Sequence, residues 1–173
     1  CAETGISFDD FRKQFESDAG KQAAQAHFDR CRAMGVRSFP TLLLERDGAL
    51  LREMRVEVGA EKVVAQGSDT VHVVKPRGAR SVERVLGPRD AWEVPQWVFS
   101  DRGTAHPEER KVQGALGRNA LLLSGGTVIY ALPDSGVLAD SGYVLPGAVR
   151  VSRSDLRAIA PIINPGFTVY FYE

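Results

Sequence analysis

The 173-residue chain contains only two cysteines, Cys1 and Cys31, and three histidines. Two cysteines exclude a disulfide-dense scaffold, and no Cys-x-x-Cys pair occurs. The cysteines and histidines follow none of the familiar ligand spacings of a zinc site. A glycine-rich phosphate loop and a nucleophile elbow are also missing. The sequence therefore predicts neither a bound metal nor a cofactor.

Net charge and long hydrophobic runs are lacking as well. The 22 basic residues balance the 22 acidic residues, so the formal net charge is zero. A neutral chain without a basic block has no general footprint for nucleic acid or for an anionic membrane. No apolar run approaches the roughly 20 residues that span a bilayer, and we expect no transmembrane segment and no signal peptide in this chain. With 43% hydrophobic residues, the composition predicts an ordinary soluble globular protein.

The spacing of the hydrophobic residues changes near Gly48. Residues 1–37 have apolar side chains at helical spacing, with Ser7 in position to cap the first helix. The short apolar run at residues 41–44 predicts a buried strand, and an Asp-Gly turn follows it. We therefore expect residues 1–49 to form a helical segment with one or two strands.

From Leu50 onward the apolar residues alternate with polar ones, which is the period of a β-strand. Ser152 is expected to cap a helix that ends near residue 160, and residues 167–172 read as a terminal strand. Residues 87–119 are predicted to be a long ordered loop. The fold class is therefore mainly β, or α+β overall, with residues 50–173 forming a β domain.

Residues 35–41, Gly-Val-Arg-Ser-Phe-Pro-Thr, lie between a helical pattern and an apolar strand. This segment resembles the one before the cis-proline strand of thioredoxin-fold proteins, in particular the DsbA-like disulfide oxidoreductases. The resemblance covers about residues 1–48 and makes Pro40 a candidate cis-proline. The absence of a Cys-x-x-Cys pair departs from that family, and Cys31 on the apolar helix face is expected to be a small buried hydrophobe.

A longer series of motifs, from about Leu50 to Glu173, resembles the catalytic domain of the L,D-transpeptidases (the YkuD family). Its first parts are the T-P-x-G turn, a tryptophan-proline loop and the G-x-L-G-x-x-A-L strand, matched by Lys75–Gly78, Trp92 to Trp97 and Gly114–Leu121. Its last parts are I-H-G, S-H-G-C-x-R, a helix and P-G-T-x-V, matched by Val128–Ala131, Leu145–Arg150, Ser152–Leu156 and Pro165–Val169. The resemblance implies an L,D-transpeptidase-like β-sandwich or rolled sheet with one helix.

The residues that carry the chemistry in this family are replaced. There the cysteine thiolate attacks the peptidoglycan stem peptide and forms a thioester, with a histidine raising the thiolate fraction. Here the cysteine position is Ala148, the histidine position is Tyr130, and the Ser-His pair reads Leu145-Pro146. An alanine offers no nucleophilic atom. The resemblance therefore implies a catalytically inactive domain in which Tyr130 and Ala148 lie close together.

Five residues are candidates for lining the groove that the resemblance implies: Tyr130, Gly147, Arg150, Trp92 and Trp97. Arg150 can bind a carboxylate or a backbone carbonyl in this groove, or it can be a structural arginine that ties the loop to the fold. The two tryptophans can line a groove or anchor a loop. His106 has no cysteine partner in the sequence and is expected to have no catalytic role.

Three functions remain open. The first is a catalytically inactive domain that serves as a binding or structural module of the bacterial cell envelope or periplasm, with peptidoglycan stem peptides or an envelope protein as partner. The second is an active L,D-transpeptidase-related enzyme whose nucleophile has moved to another residue. The third is a remnant of a thiol-disulfide oxidoreductase of the DsbA-like class.

Overall fold

The computed structural model describes residues 7–33, 41–46, 49–66 and 69–171. They belong to two compact units, Cys1–Glu53 and Met54–Glu173. The predicted cis-proline Pro40 and the Asp-Gly turn lie outside the described residues, and so does the side chain of Cys31. The division of the chain between residues 49 and 50 stays a prediction.

The N-terminal unit begins with two helices, α1 (Phe8–Glu16) and α2 (Asp18–Ala33). The hydroxyl oxygen of Ser7 accepts a hydrogen bond from the amide of Asp10 at 3.1 Å, so the predicted cap is present. Strand β1 (Thr41–Arg46) follows, and the residues of β2 (Ala49–Val58) extend across the boundary between the two units.

The C-terminal unit is mostly β. Its strands after β2 are β3 (Lys62–Gln66), β4 (Asp69–Val73), β5 (Gly78–Leu86), β6 (Ala91–Glu93), β7 (Lys111–Gln113), β8 (Ala120–Leu123), β9 (Val128–Ala131), β10 (Val149–Val151) and β11 (Thr168–Phe171). Its helices are α3 (Gln96–Asp101) and α4 (Arg153–Ile159), with two 3-10 turns at Ser124–Gly126 and Ala160–Ile162. No helix among the described residues is long and apolar enough to cross a membrane.

The segment 87–119, expected to be a loop, contains β6, α3 and β7. These elements have three, six and three residues, which is too short for a strand or helix period to appear in the sequence. Strands β6 and β7 pair with each other in a separate two-stranded sheet, and β3 and β4 form another.

The main sheet of this unit has the order β2-β10-β9-β8-β5-β11. Strands β9 and β10 are parallel, with Arg150 opposite Tyr130, whereas β10 and β2 are antiparallel, with Arg150 opposite Glu57. All four residues of β9 are buried. A strand in the middle of a sheet that is covered on both faces is expected to be apolar along its whole length, and this position explains why Tyr130 lies in the core.

Helix α4 begins directly after strand β10. As predicted, the hydroxyl oxygen of Ser152 accepts a hydrogen bond from the amide of Asp155, at 3.1 Å. Leu156 and Ile159 are buried one turn apart on the same face of this helix. Because β10 ends at Val151, the cap sets where the chain leaves the strand that follows the Leu145–Ala148 loop.

Candidate functional site

The loop Leu145–Ala148, directly before β10, carries the candidate site. Its Leu145 amide donates a hydrogen bond to the hydroxyl oxygen of Tyr130 at 2.9 Å. The Ala148 amide in turn donates to the Leu145 carbonyl at 3.1 Å. Tyr130 and Ala148 are 0% and 1% exposed and belong to one buried cluster. The two positions that the sequence predicted to lie close together are thus joined through a single loop residue.

The environment of Tyr130 keeps its hydroxyl neutral. Burial raises the pKa of Tyr130, and the hydrogen bond from the Leu145 amide, which acts in the opposite direction, is the smaller effect. The oxygen that would have to accept a proton already accepts a backbone hydrogen bond. Tyr130 therefore holds the loop in place and is unsuited to the role of a base near neutral pH.

The loop is also held by the residues that directly follow strand β2. The amide of Gly59 donates to the Ala148 carbonyl at 2.8 Å, and the amide of Gly147 donates to the Ala60 carbonyl at 3.2 Å. A Cβ atom on Gly59 would lie 1.9 Å from the carbonyl oxygen of Leu145. Only glycine permits this approach of the two backbones.

The end of strand β4 packs against the loop. Gly147 has a φ of +69°, and a Cβ atom there would lie 2.6 Å from Val73 Cγ1 and 3.0 Å from the Val74 carbonyl oxygen. The end of β4 therefore packs directly against Gly147. The loop at the position of the family's S-H-G-C motif is therefore held by the Tyr130 hydroxyl, by the residues that follow β2 and by the end of β4.

A cavity of about 260 Å³ opens beside this loop. Its walls are the segment Val71–Pro76, the side chain of Arg80, Trp92, Pro95 and Trp97, the turn Gly125–Val128, and the loop Leu145–Ala148. Of the predicted groove residues, Gly147, Trp92 and Trp97 line it. Tyr130 lies behind the loop in the core and does not. The described lining residues include no Asp or Glu, whereas His72, Lys75 and Arg80 are basic.

The side chain of Arg150 does not line this cavity and binds other groups. Its Nε donates to Glu57 Oε2 at 2.6 Å, Nη1 to the Tyr143 carbonyl at 2.9 Å, and Nη2 to the Ser141 carbonyl at 2.7 Å. A further bond joins Nη1 to the Asp140 carbonyl, at 3.3 Å. The side chain is only 11% exposed.

The groove assignment of Arg150 is therefore corrected. In the sheet Arg150 lies opposite Glu57 and Tyr130, and it is not among the residues that line the cavity. Arg150 ties the segment 140–143 to the sheet, which is the structural alternative considered for it.

Comparison with solved structures gives the fold. The L,D-transpeptidase from Xylanimonas cellulosilytica superposes with a TM-score of 0.51 at 16% identity, covering 84% of this chain and 69% of that one. The chain has an L,D-transpeptidase-like fold. This result confirms the resemblance over the C-terminal motifs and the predicted fold class. The thioredoxin-fold resemblance of residues 1–48 stays a prediction.

Two further structures are similar to the chain. They are an L,D-transpeptidase from Mycobacterium smegmatis, with a TM-score of 0.47 at 19% identity, and Bd1075 from Bdellovibrio bacteriovorus, with a TM-score of 0.42 at 14% identity. Each comparison covers 76% of this chain, and the chain spans 54% and 43% of those longer chains. No family model and no curated protein matches the sequence.

Within the L,D-transpeptidase-like fold, a polar network supports the segment that Arg150 binds. The Tyr143 hydroxyl donates to Asp101 Oδ2 at 2.8 Å, and the Arg102 guanidinium lies 4.5 Å from the centre of the Tyr143 ring. Burial, followed by the Asp101 hydrogen bond, raises the pKa of Tyr143. The Gly142 amide, followed by the Arg102 side chain, lowers the pKa of Asp140.

The structure also gives His106 a partner that the sequence did not indicate. Its Nε2 lies 2.8 Å from Ser100 Oγ, and its Nδ1 lies 3.0 Å from Gln96 Nε2. A serine hydroxyl beside an imidazole has the geometry of a nucleophile and its base. All three residues lie on or just after α3 and none lines the cavity. No sequence motif indicates this pair, because Ser100 and His106 are brought together by the short helix α3 and the turn after it.

Proposed function

We propose that this chain is a non-catalytic L,D-transpeptidase-like module of the bacterial cell envelope, which binds a peptide ligand without cleaving it. The observation that carries the proposal is Ala148. In the family that the motifs resemble, this position holds the attacking thiolate, and here it holds a methyl group that is 1% exposed. Acyl transfer through a thioester has no attacking atom at this place.

Two replacements around Ala148 support the same conclusion. Tyr130, at the position of the family's histidine, uses its hydroxyl oxygen to accept the Leu145 amide. Leu145 and Pro146, at the positions of the Ser-His pair, are buried. Each of these side chains packs or holds the loop, and none of them supplies a base. At each of these positions a residue that takes part in the chemistry of the family is replaced by one that packs in the core or holds the loop.

The cavity beside Ala148 supports binding over a purely structural role. Small-ligand sites are concave and mostly apolar, with a few polar groups that fix orientation. The cavity of about 260 Å³ has this character, since Trp92, Trp97 and Leu145 form apolar walls and Arg80 is charged. Peptidoglycan stem peptides are the ligand class that the resemblance implies, and an envelope protein is the alternative partner.

An active enzyme with a relocated nucleophile is the second candidate function. The observation in its favour is the Ser100 Oγ to His106 Nε2 distance of 2.8 Å. Against it, Gln96 occupies the third position with an amide instead of a carboxylate, and the pair is exposed and lies outside the cavity. A substrate bound beside Ala148 is not in contact with this pair.

An exchange assay separates the two functions. The protein is incubated with a donor tetrapeptide and a D-amino acid acceptor, and the exchange product is sought by mass spectrometry. A non-catalytic module gives no product, and the Ser100→Ala variant behaves identically. Product formation that disappears in Ser100→Ala would instead establish the relocated nucleophile. Binding of the same tetrapeptide by calorimetry, without turnover, is the positive result that the proposal requires.

A further inference from the structure

Arg80 is a half-buried charged residue on strand β5. It forms part of the wall of the cavity beside Ala148.

The Arg80 side chain has an unmet hydrogen-bonding need. Its Nε is buried and has no hydrogen-bond partner among the described residues. The guanidinium lies against the turn at Gly125, where a Cβ atom would be 3.5 Å from both Cζ and Nε. A buried donor without an acceptor is costly and rare in folded proteins, and a bound water, ion or ligand is the usual partner of such a group.

The charge of the cavity indicates which ligand fits. The charged residues Arg80 and Lys75 line it, and none of the described lining residues is acidic. A cleft that carries charge of one sign between apolar walls concentrates ions of the opposite sign. A planar guanidinium matches a carboxylate with two parallel hydrogen bonds. Trp92 and Trp97 offer apolar and aromatic surface to whatever group bears that carboxylate.

We propose that the cavity binds the terminal carboxylate of a short peptide through Arg80. The residue next to the carboxylate packs against Trp92 and Trp97. A carboxylate is the anion that a peptide carries at its end, and the guanidinium fork binds it through two parallel hydrogen bonds. This inference rests on the proposed function, since it names the group that the non-catalytic module recognises.

The test uses a probe with one charge. Nα,Nε-diacetyl-L-lysyl-D-alanine carries only its terminal carboxylate, and its C-terminal amide is the neutral counterpart. We expect the acid to bind roughly 10- to 100-fold more tightly than the amide, the range for a hydrogen bond to a charged group. The preference should shrink as salt is raised. The L-alanine form of the probe distinguishes a protein carboxy terminus from a peptidoglycan-like one.

Two variants assign the effect to Arg80. Arg80→Gln should remove the preference for the acid, whereas Arg84→Gln, on the same strand but exposed, should retain it.

The outcomes separate the inference from the function on which it rests. Equal binding of acid and amide, or an unchanged preference in Arg80→Gln, overturns the inference and leaves a non-catalytic binding module intact. Binding of neither probe at millimolar concentration overturns both. Inorganic phosphate that displaces the acid at lower concentration than acetate does also overturns the choice of a carboxylate.

Discussion

Replacing Tyr130 by phenylalanine tests how the loop at the former catalytic position is held. The change keeps the buried ring and removes the oxygen that accepts the Leu145 amide at 2.9 Å. Leu145 is only 3% exposed, so water cannot easily take over as acceptor. A buried donor that loses its partner costs about 1–3 kcal/mol. We expect the free energy of unfolding of Tyr130→Phe to fall by that amount.

Urea unfolding followed by circular dichroism measures this difference, and thermal unfolding should show a midpoint lower by roughly 2–4 °C per kcal/mol for a chain of this size. Tyr170→Phe is the matched control, because the Tyr170 side chain is 60% exposed, so water can reach any group that loses its contact with the hydroxyl. The control should change stability by about 0.5 kcal/mol or less. If Tyr130→Phe is as stable as the control, the hydroxyl does not hold the loop and the role assigned to position 130 is refuted.

Three further predictions follow from the same region. Gly59→Ala places a Cβ atom 1.9 Å from the Leu145 carbonyl oxygen and should cost at least about 1–3 kcal/mol of stability, as overpacking does. Arg150→Ala removes the bonds to Glu57 and to the 140–143 segment and should cost about 1–3 kcal/mol, without changing the preference for a carboxylate probe. In alkaline titration, Tyr130 and Tyr143 should ionise late because their pKa values are raised. Above about pH 10 the folded state retains protons that the unfolded chain has lost, so stability is complete below that pH and falls as pH rises.

Each of these predictions has a control or a contradicting result. Gly87→Ala should be mild, because a Cβ atom there lies 3.6 Å from its nearest neighbour, which is an ordinary contact. Arg84→Ala is the exposed counterpart of Arg150→Ala. If Arg150→Ala leaves stability unchanged but abolishes ligand binding, Arg150 belongs to the ligand site after all. Tyrosinate absorbance that rises fully before unfolding begins contradicts the alkaline prediction.

Most of the correct predictions about the fold and the site came from the order of the family motifs along the sequence. This order predicted that Tyr130 and Ala148 lie close together. They belong to one buried cluster, because β9 and β10 are neighbouring parallel strands. The cap at Ser152 was also predictable, since a side-chain cap depends only on residues within one turn. Local patterns and a matched series of motifs therefore account for the fold class and for the place of the site.

The cavity could not be predicted in the same way. Its walls come from four segments that are distant in sequence, and Arg80 on an alternating strand gives no sign that its Nε is buried. The partners of Arg150 are carbonyl groups, which every residue carries and which no sequence pattern reveals. The Ser100–His106 pair depends on the short helix α3, whose six residues show no period.

The central claim is that position 148 and its surroundings contain no reactive nucleophile, and carbapenem acylation tests it most directly. Cys1 and Cys31 are first replaced by serine, so that the protein contains no thiol that could react. This variant is incubated with a carbapenem, and its intact mass is measured. The account predicts a mass identical to that of the untreated protein. An added mass of one carbapenem, located by peptide mapping within residues 54–171, would contradict it.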